Sequence, residues 1–324
     1  MIILFDSEFR EIGQVNIDID IEVGTSTASK NDFEILTATI QKLNPYGWYI
    51  ENTELGGIFE YNHSETEFDY SALKGWSFRG LMALSIIQPE SGQDYKVVSG
   101  EANDILRTML ANVLGGFFNV PNVSSGLTIS NYQFPLYINT LDGLEGMLEK
   151  YGYRLEITAK KTAIGQPVQV FVEAVEAVQV SGAFNKDCRI PMAYTTNNMG
   201  INHLVCAGEG QLQERLKVDL YIDENGEVSQ TQYYTGFEER TSFYDYSGAE
   251  SEQDLIDNGT ERLLELASSK TLEMKAPQDL NLNIGDLVRG VFPDKTELIS
   301  PIVNKIYKIT QGLVTVEYKI KGEK

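Results

Sequence analysis

The sequence predicts an α+β protein, mainly β, built as two β-barrel-like domains flanking a small α/β insert. Three observations carry this. Strand-forming aromatics are plentiful, with 17 Tyr and 14 Phe among 324 residues, while Gly (28) far outnumbers Pro (9). Apolar and polar residues alternate near both ends of the chain. Between those ends lies a stretch with helical spacing. The expected domains are 1–95, 96–185 and 186–324, the last with one helix near 252–270.

Each element follows from local pattern. Val15, Ile17, Ile19 and Ile21 alternate with Asn16, Asp18 and Asp20, as a half-buried strand requires. Phe33–Ile40 reads as a second strand, and Gly47–Ile50 and Gly57–Tyr61 as two short ones introduced by glycine. Lys74–Pro89 reads as a strand entering a short helical turn that Pro89 stops. Such closely spaced turn signals predict a barrel or sandwich up to about residue 92. Helical texture opens at Ser99-Gly100-Glu101-Ala102, with Ser99 or Gly100 the expected N-cap. Ala102, Ile105, Leu106, Met109, Leu110 and Val113 share one face, and Gly115-Gly116 ends the run. A second helix runs from Thr140 to Gly152, and Tyr153–Ile157 pairs with Val168–Val172 as a hairpin.

From about residue 186 the β texture returns. His203–Gly208 and Leu216–Ile222 are expected strands, and Asp223-Glu224-Asn225-Gly226 the type I′ tip of a hairpin. Residues 237–258 are acidic, rich in Tyr and Ser and without apolar period. They read as a solvated loop or lid that orders on assembly. Leu287–Val291, Pro301–Ile309 and Val314–Ile320 are the last strands. No internal repeat is visible, which excludes a solenoid.

Charge and motif content narrow the function. A net charge of −21 and a pI near 4.5 repel phosphate, which argues against a dedicated nucleic-acid binder or a membrane-surface protein. The first residues, MIILFDSEFREIG, have no basic region and no long apolar core, so neither a signal peptide nor a membrane anchor is expected. Cys188 and Cys206 set no disulfide framework, and with only His63 and His203 no metal spacing arises. Gly208-Glu209-Gly210 and Gly56-Gly57 lack the spacing of a phosphate loop. Asp223-x-Asn225-Gly226 starts like a calcium loop, but position twelve is Tyr234 rather than an acid. Glu238, Glu239 and Asp245 could serve glycoside hydrolysis, yet nothing distinguishes them from the other acids. His203 and Cys206 lie three apart in a strand and so point to opposite faces, a poor nucleophile pair. No catalytic, cofactor-binding or metal-ligating residue is assigned. The protein is expected to use no cofactor and not to be an enzyme.

Three stretches resemble a known family. Trp76-x-Phe78-x-Gly80-Leu81 with Ile86-Ile87-Gln88-Pro89 resembles the element closing the first domain of tail-hub proteins of long-tailed phages and prophages. Asn202-His203-Leu204-Val205-Cys206-Ala207-Gly208-Glu209-Gly210 followed by Arg215 is similar to that family's glycine-punctuated stretch before a strand. Ile284-Gly285-Asp286-Leu287-Val288 resembles its late Gly-Asp entry. The resemblance implies a non-catalytic baseplate hub. Its homotrimeric ring would use two β domains per subunit to mimic the hexameric tail tube. The ring would cap that tube and carry spike, fibre or lysin components. Implied partners are the distal tail protein, the tube, the tape-measure protein and fibre or spike proteins. DNA would pass through without specific binding, along a bore expected to be acidic. The implied location is the virion tail, after synthesis in the bacterial host cytoplasm, and any hydrolase domain would be absent or lie on another polypeptide. Trp48 and Trp76 are candidate interface anchors. The alternative reading is a carbohydrate-binding or glycoside-hydrolysing β protein.

Overall fold

The computed structural model describes residues 1–37, 43–65, 70–184, 192–197, 199–210, 215–246, 249, 251–267, 269–276, 282–291, 297–310 and 313–320. Two compact units emerge, one of Met1–Met192 with Glu273–Ile320 and one built on Ala193–Leu272. These do not coincide with the three consecutive segments expected at 1–95, 96–185 and 186–324, because strands from distant parts of the sequence pair directly.

The chain begins with β1 (Ile2–Phe5), β2 (Glu11–Val15), β3 (Asp18–Gly24), β4 (Asp32–Thr37), β5 (Gly47–Tyr49), β6 (Gly56–Glu65), β7 (Tyr70–Ser77) and α1 (Phe78–Ala83). There follow β8 (Val97–Glu101), α2 (Ala102–Leu110), β9 (Phe118–Asn119), β10 (Thr128–Gln133), α3 (Thr140–Lys150), β11 (Tyr153–Lys161), β12 (Val168–Glu176) and β13 (Gln179–Phe184). Next come β14 (Met192–Asn197), β15 (His203–Ala207), β16 (Lys217–Ile222), β17 (Val228–Ser229), β18 (Thr241–Asp245), α4 (Glu252–Leu266) and β19 (Ser269–Ala276). Last are β20 (Leu287–Val291), β21 (Glu297–Thr310) and β22 (Leu313–Ile320). The fold is mainly β with few helices, as the composition predicts.

In the first unit a curled antiparallel sheet runs in the order β22-β21-β3-β4-β7-β6-β5-β1-β2. β21 lies on β3, with Asn304 opposite Gly24 and Ile309 opposite Ile19. The expected alternation holds in β3, where Ile19, Ile21 and Val23 are buried. β1 is buried on both faces. Ile2 and Leu4 join one apolar cluster with Ile21, Phe33 and Trp48, while Ile3 and Phe5 join another with the helices. Phe33 rests on two glycines. A Cβ on Gly57 would lie 2.1 Å from the Trp76 carbonyl oxygen, and one on Gly75 would lie 2.0 Å from that of Ile58. The cleared space admits the Phe33 ring, which meets Trp48 and Phe59 edge-on at 5.3 and 5.4 Å.

The insert matches its pattern in outline. α2 and α3 lie at the expected places, and β11 pairs with β12 from Tyr153 opposite Glu176 to Lys161 opposite Val168. Two ends differ. The N-cap of α2 is Glu101, whose carboxylate accepts from the Asp104 N–H at 3.1 Å, because β8 keeps residues 97–101 extended against β10. Ser99 instead caps nothing and bonds Asn131. α1 ends at Ala83, well before Pro89, since the chain leaves it to bridge Ile86 to Asn139. At its start, the buried Ser77 hydroxyl accepts from the Gly80 N–H and donates to the Asn31 carbonyl at 2.9 Å. Ser77→Ala is expected to cost about 1–2 kcal/mol, read by urea denaturation.

The second unit carries a four-stranded sheet ordered β17-β16-β15-β18, with β18 parallel to β15. α4 covers one face, packing Leu255 and Leu263 against Leu204, Cys206 and Leu220. The stretch 237–258 is therefore not simply a loop, since it contains β18 and the start of α4. The hairpin tip also differs from a type I′ turn. Only Gly226 has positive φ (84°), and the Asp223 carboxylate accepts the Asn225 and Glu227 N–H groups at 2.8 and 2.9 Å. That Asx arrangement fixes Asn225 with negative φ.

Candidate functional site

The first unit carries an open cleft of about 510 Å³ lined by charged and apolar side chains. Arg79, on the apolar helix α1, is 2% exposed and spends every nitrogen inside the protein. Its Nε donates to Glu54 at 3.3 Å, one terminal nitrogen to Glu145 on α3, and the other to the Leu155 carbonyl at 2.9 Å. Glu54 is shared with Lys305 of β21, whose Nζ lies 3.5 Å away between the rings of Tyr307 and Tyr318. Burial opposes the charge on each of these groups, and the outcome differs among them. For Glu54, Lys305 and Arg79 outweigh burial and hold the carboxyl below the ordinary range. Burial wins at Glu145, which is pushed up, and at Lys305, which is pushed down. It also raises the Tyr318 phenol to about 12. The network ties α1, α3, β11 and β21 into one body.

The sequence motifs have structural work at each position. Gly285 has φ +86°, and a Cβ there would stand 2.4 Å from the Arg154 Cβ. The next residue, Asp286, takes the Arg154 Nε at 2.9 Å and the Val178 N–H at 3.1 Å. Gly80 has no room for a Cβ, which would meet the Asn31 carbonyl oxygen at 2.2 Å. Gly56 and Gly57 sit in β6 under the same kind of backbone approach, and Gly208 pairs its N–H with Leu216. Gly56, Gly57, Gly208 and Gly285 open no helix, and Gly80 lies within the first turn of α1. Trp48 is wholly buried in the sheet core and so is not an exposed anchor, while Trp76 is half-buried against the helix cluster.

In the second unit the expected geometry of β15 separates His203 from Cys206. Cys206 is buried under α4, which pushes its thiol up to about 11. His203 faces the other side, between Asp219 and Glu239 at 2.9 and 2.7 Å. Asp245 is held by Arg215, whose Nε also donates to the Gly208 carbonyl at 2.9 Å. Glu239 is thus bonded to His203 and Asp245 is paired with Arg215. Glu238 contributes its backbone carbonyl, which accepts from Asn202 Nδ2 at 2.7 Å. Among the described residues no cluster of His, Cys, Asp and Glu could hold a metal ion, and no helix is long and apolar enough to cross a membrane.

The buried ionic network escaped sequence reasoning. Its one signal was an arginine inside the apolar run Phe78-Arg79-Gly80-Leu81-Met82, and an acid in Leu144-Glu145-Gly146-Met147. An ion in such a run needs a partner, but sequence does not say which.

No family model matches the sequence, and no curated protein matches it. Solved structures do. The 43 kDa tail protein of prophage MuSo2 from Shewanella oneidensis aligns with a TM-score of 0.54 at 10% identity, covering 98% of this chain and 97% of that one. A tail protein from Neisseria meningitidis MC58 gives 0.52 at 11% identity, covering 99% and 95%. Prophage tail protein gp18 from Listeria monocytogenes EGD-e gives 0.51 at 13% identity, covering 99% and 94%. At these identities the likeness is one of fold, and the fold of this chain is the one found in phage and prophage tail proteins.

Proposed function

We propose that this chain is a structural component of a phage or prophage tail, and within it the baseplate hub. The observation that carries the reading is the end-to-end likeness to three tail proteins, covering 94% or more of each chain in every pairing. An inserted ornament shared with an unrelated protein would align over part of a chain only. The buried ion pairs support a scaffold rather than an enzyme, since every charged group there is committed to another element.

In this reading three copies form a ring whose β domains continue the tail tube. The ring caps the tube and connects it to spike, fibre or lysin components, and DNA passes through an acidic bore without being bound. A surface of net charge −21 supports such a bore, because phosphate does not adhere to it. The partners are the distal tail protein, the tube, the tape-measure protein and fibre or spike proteins. The test is solution mass by light scattering across a tenfold dilution. The expected species is about 109 kDa, three times the 36.2 kDa chain. A mass of one chain throughout would count against a ring that forms from this protein alone.

A further inference from the structure

The second unit contains one imidazole, His203, and both of its ring nitrogens face carboxylates: Nδ1 meets Glu239 Oε1 at 2.7 Å and Nε2 meets Asp219 Oδ1 at 2.9 Å. A neutral imidazole has one N–H and one lone pair, so one of these contacts would set a lone pair against a carboxylate. Both contacts are attractive only when both nitrogens carry protons. The Tyr221 ring stacks on the imidazole at 4.3 Å and 21°, an arrangement that also favours a cation. The groups around the ring are Asp219 and Tyr221 from β16, Glu239 from the turn before β18, and Thr241 of β18, whose Oγ1 lies 3.1 Å from Nδ1. Neighbouring charges are occupied elsewhere, Arg240 Nε on the Gly200 carbonyl at 2.7 Å and Arg215 on Asp245. α4 packs on the opposite face, against Leu204 and Cys206.

What this ring holds is well defined. Asn202 Nδ2 donates to the Glu238 carbonyl, the Arg240 N–H donates to Asn202 Oδ1 at 2.8 Å, and the N–H groups of Asn202 and His203 converge on the Arg240 carbonyl. β18 then starts at Thr241, in register with His203, as the outer strand of the sheet. The turn carries Phe237, which is fully exposed. Among the described residues, the ionic tie from this turn to the sheet is Glu239 on His203.

We propose that His203 is a proton-operated clamp on the outer edge of this sheet. Protonated, it joins Glu239 to Asp219 and holds the turn with Phe237 and strand β18 in place. Deprotonated, it keeps one carboxylate and repels the other, and the turn and strand loosen. Both contacts are attractive only in the doubly protonated ring, so the ordered edge is the low-pH form and is lost as pH rises. This inference does not depend on the tail reading.

The test is amide hydrogen exchange on the full chain at pH 5.5 and 8.5, corrected for the intrinsic pH dependence of exchange. Protection across 235–245 is expected to fall about tenfold at the higher pH, with β16 little changed. His203→Gln, neutral at both values, is expected to abolish the step. If that variant does not fold, Glu239→Gln serves instead, since it removes the carboxylate and leaves an acceptor. Protection that is independent of pH in the native protein would overturn the proposal, as would a step that survives in a folded variant. The imidazole Cε1–H resonance is expected to titrate with the same midpoint, and a ring already neutral at pH 5.5 would also overturn it.

Discussion

Arg79→Met is expected to destabilise the first unit by about 3–5 kcal/mol at neutral pH, the range for breaking one partner out of a buried ion pair. The replacement fills most of the volume but strands the buried Glu145 and half-strands the partly buried Glu54. It also leaves the Leu155 carbonyl without its donor. Arg79→Lys is expected to recover only part of the loss, because a single ammonium cannot reach three acceptors set around a planar fork. The pH dependence gives a second check. Glu54 is held below the ordinary carboxylate range, so its contribution is present above that range and fades as pH falls through its folded value. The stranded carboxyls of the variant take up protons more readily. The gap between native protein and variant should therefore narrow as pH falls from 7 to 4.5. Urea denaturation at the two pH values measures both effects, and a loss under about 1 kcal/mol at pH 7 would contradict the role assigned to Arg79.

Gly57→Ala is expected to be nearly as damaging, by about 3 kcal/mol or more, for a different reason. The new methyl would start 2.1 Å from the Trp76 carbonyl oxygen and 2.7 Å from the Phe33 ring. Neither neighbour can yield cheaply. Trp76 belongs to β7, which is paired on one side with β6 and on the other with β4, so moving its carbonyl disturbs two ladders. A lowered melting temperature or loss of soluble protein is the expected result. Gly152→Ala is the control, because its Cβ would meet nothing within 4 Å and only its φ of +73° is strained. If the two substitutions cost the same, crowding beneath Phe33 is not what keeps glycine at position 57.

Much of this architecture was legible from local pattern. The alternation in β3, the apolar face of α2 and the matched lengths of β11 and β12 all survive folding because one face of each meets a core. Asn139, Ser251 and Ser77 cap helices in the structure, whereas the cap expected from sequence, Ser99 or Gly100, gives way to Glu101. What escaped was whatever depends on a distant partner. β1 is too short to show a period and is buried on both faces. β18 exposes Phe243 and half-buries Tyr244, so no apolar side marks it as a strand. Pro89 is the nearest breaker that the sequence shows after α1, whereas the actual exit is set by a bridge to Asn139 more than fifty residues on. The candidate sites divided in the same way. The opposite facing of His203 and Cys206 follows from strand geometry alone. The carboxylates that grip His203 come from two other segments, at 219 and 239, and adjacency in space cannot be read from spacing in sequence.

The pairing of β21 with β3 has a temporal consequence. Gly24 is added about 280 residues before its partner Asn304. At 5–20 residues per second, roughly 15–55 s of synthesis separate them. During that interval one side of β3 has no strand beside it, and Ile19 and Ile21 lack part of their cover. The stretch from Ala193 to Leu272 needs no such wait, since its strands and helix find their neighbours within about eighty residues. The stretch from Ala193 to Leu272 should thus gain protease resistance on the ribosome before β3 does. Nascent chains are exposed to aggregation along β3, and in need of chaperone cover there, until β21 emerges.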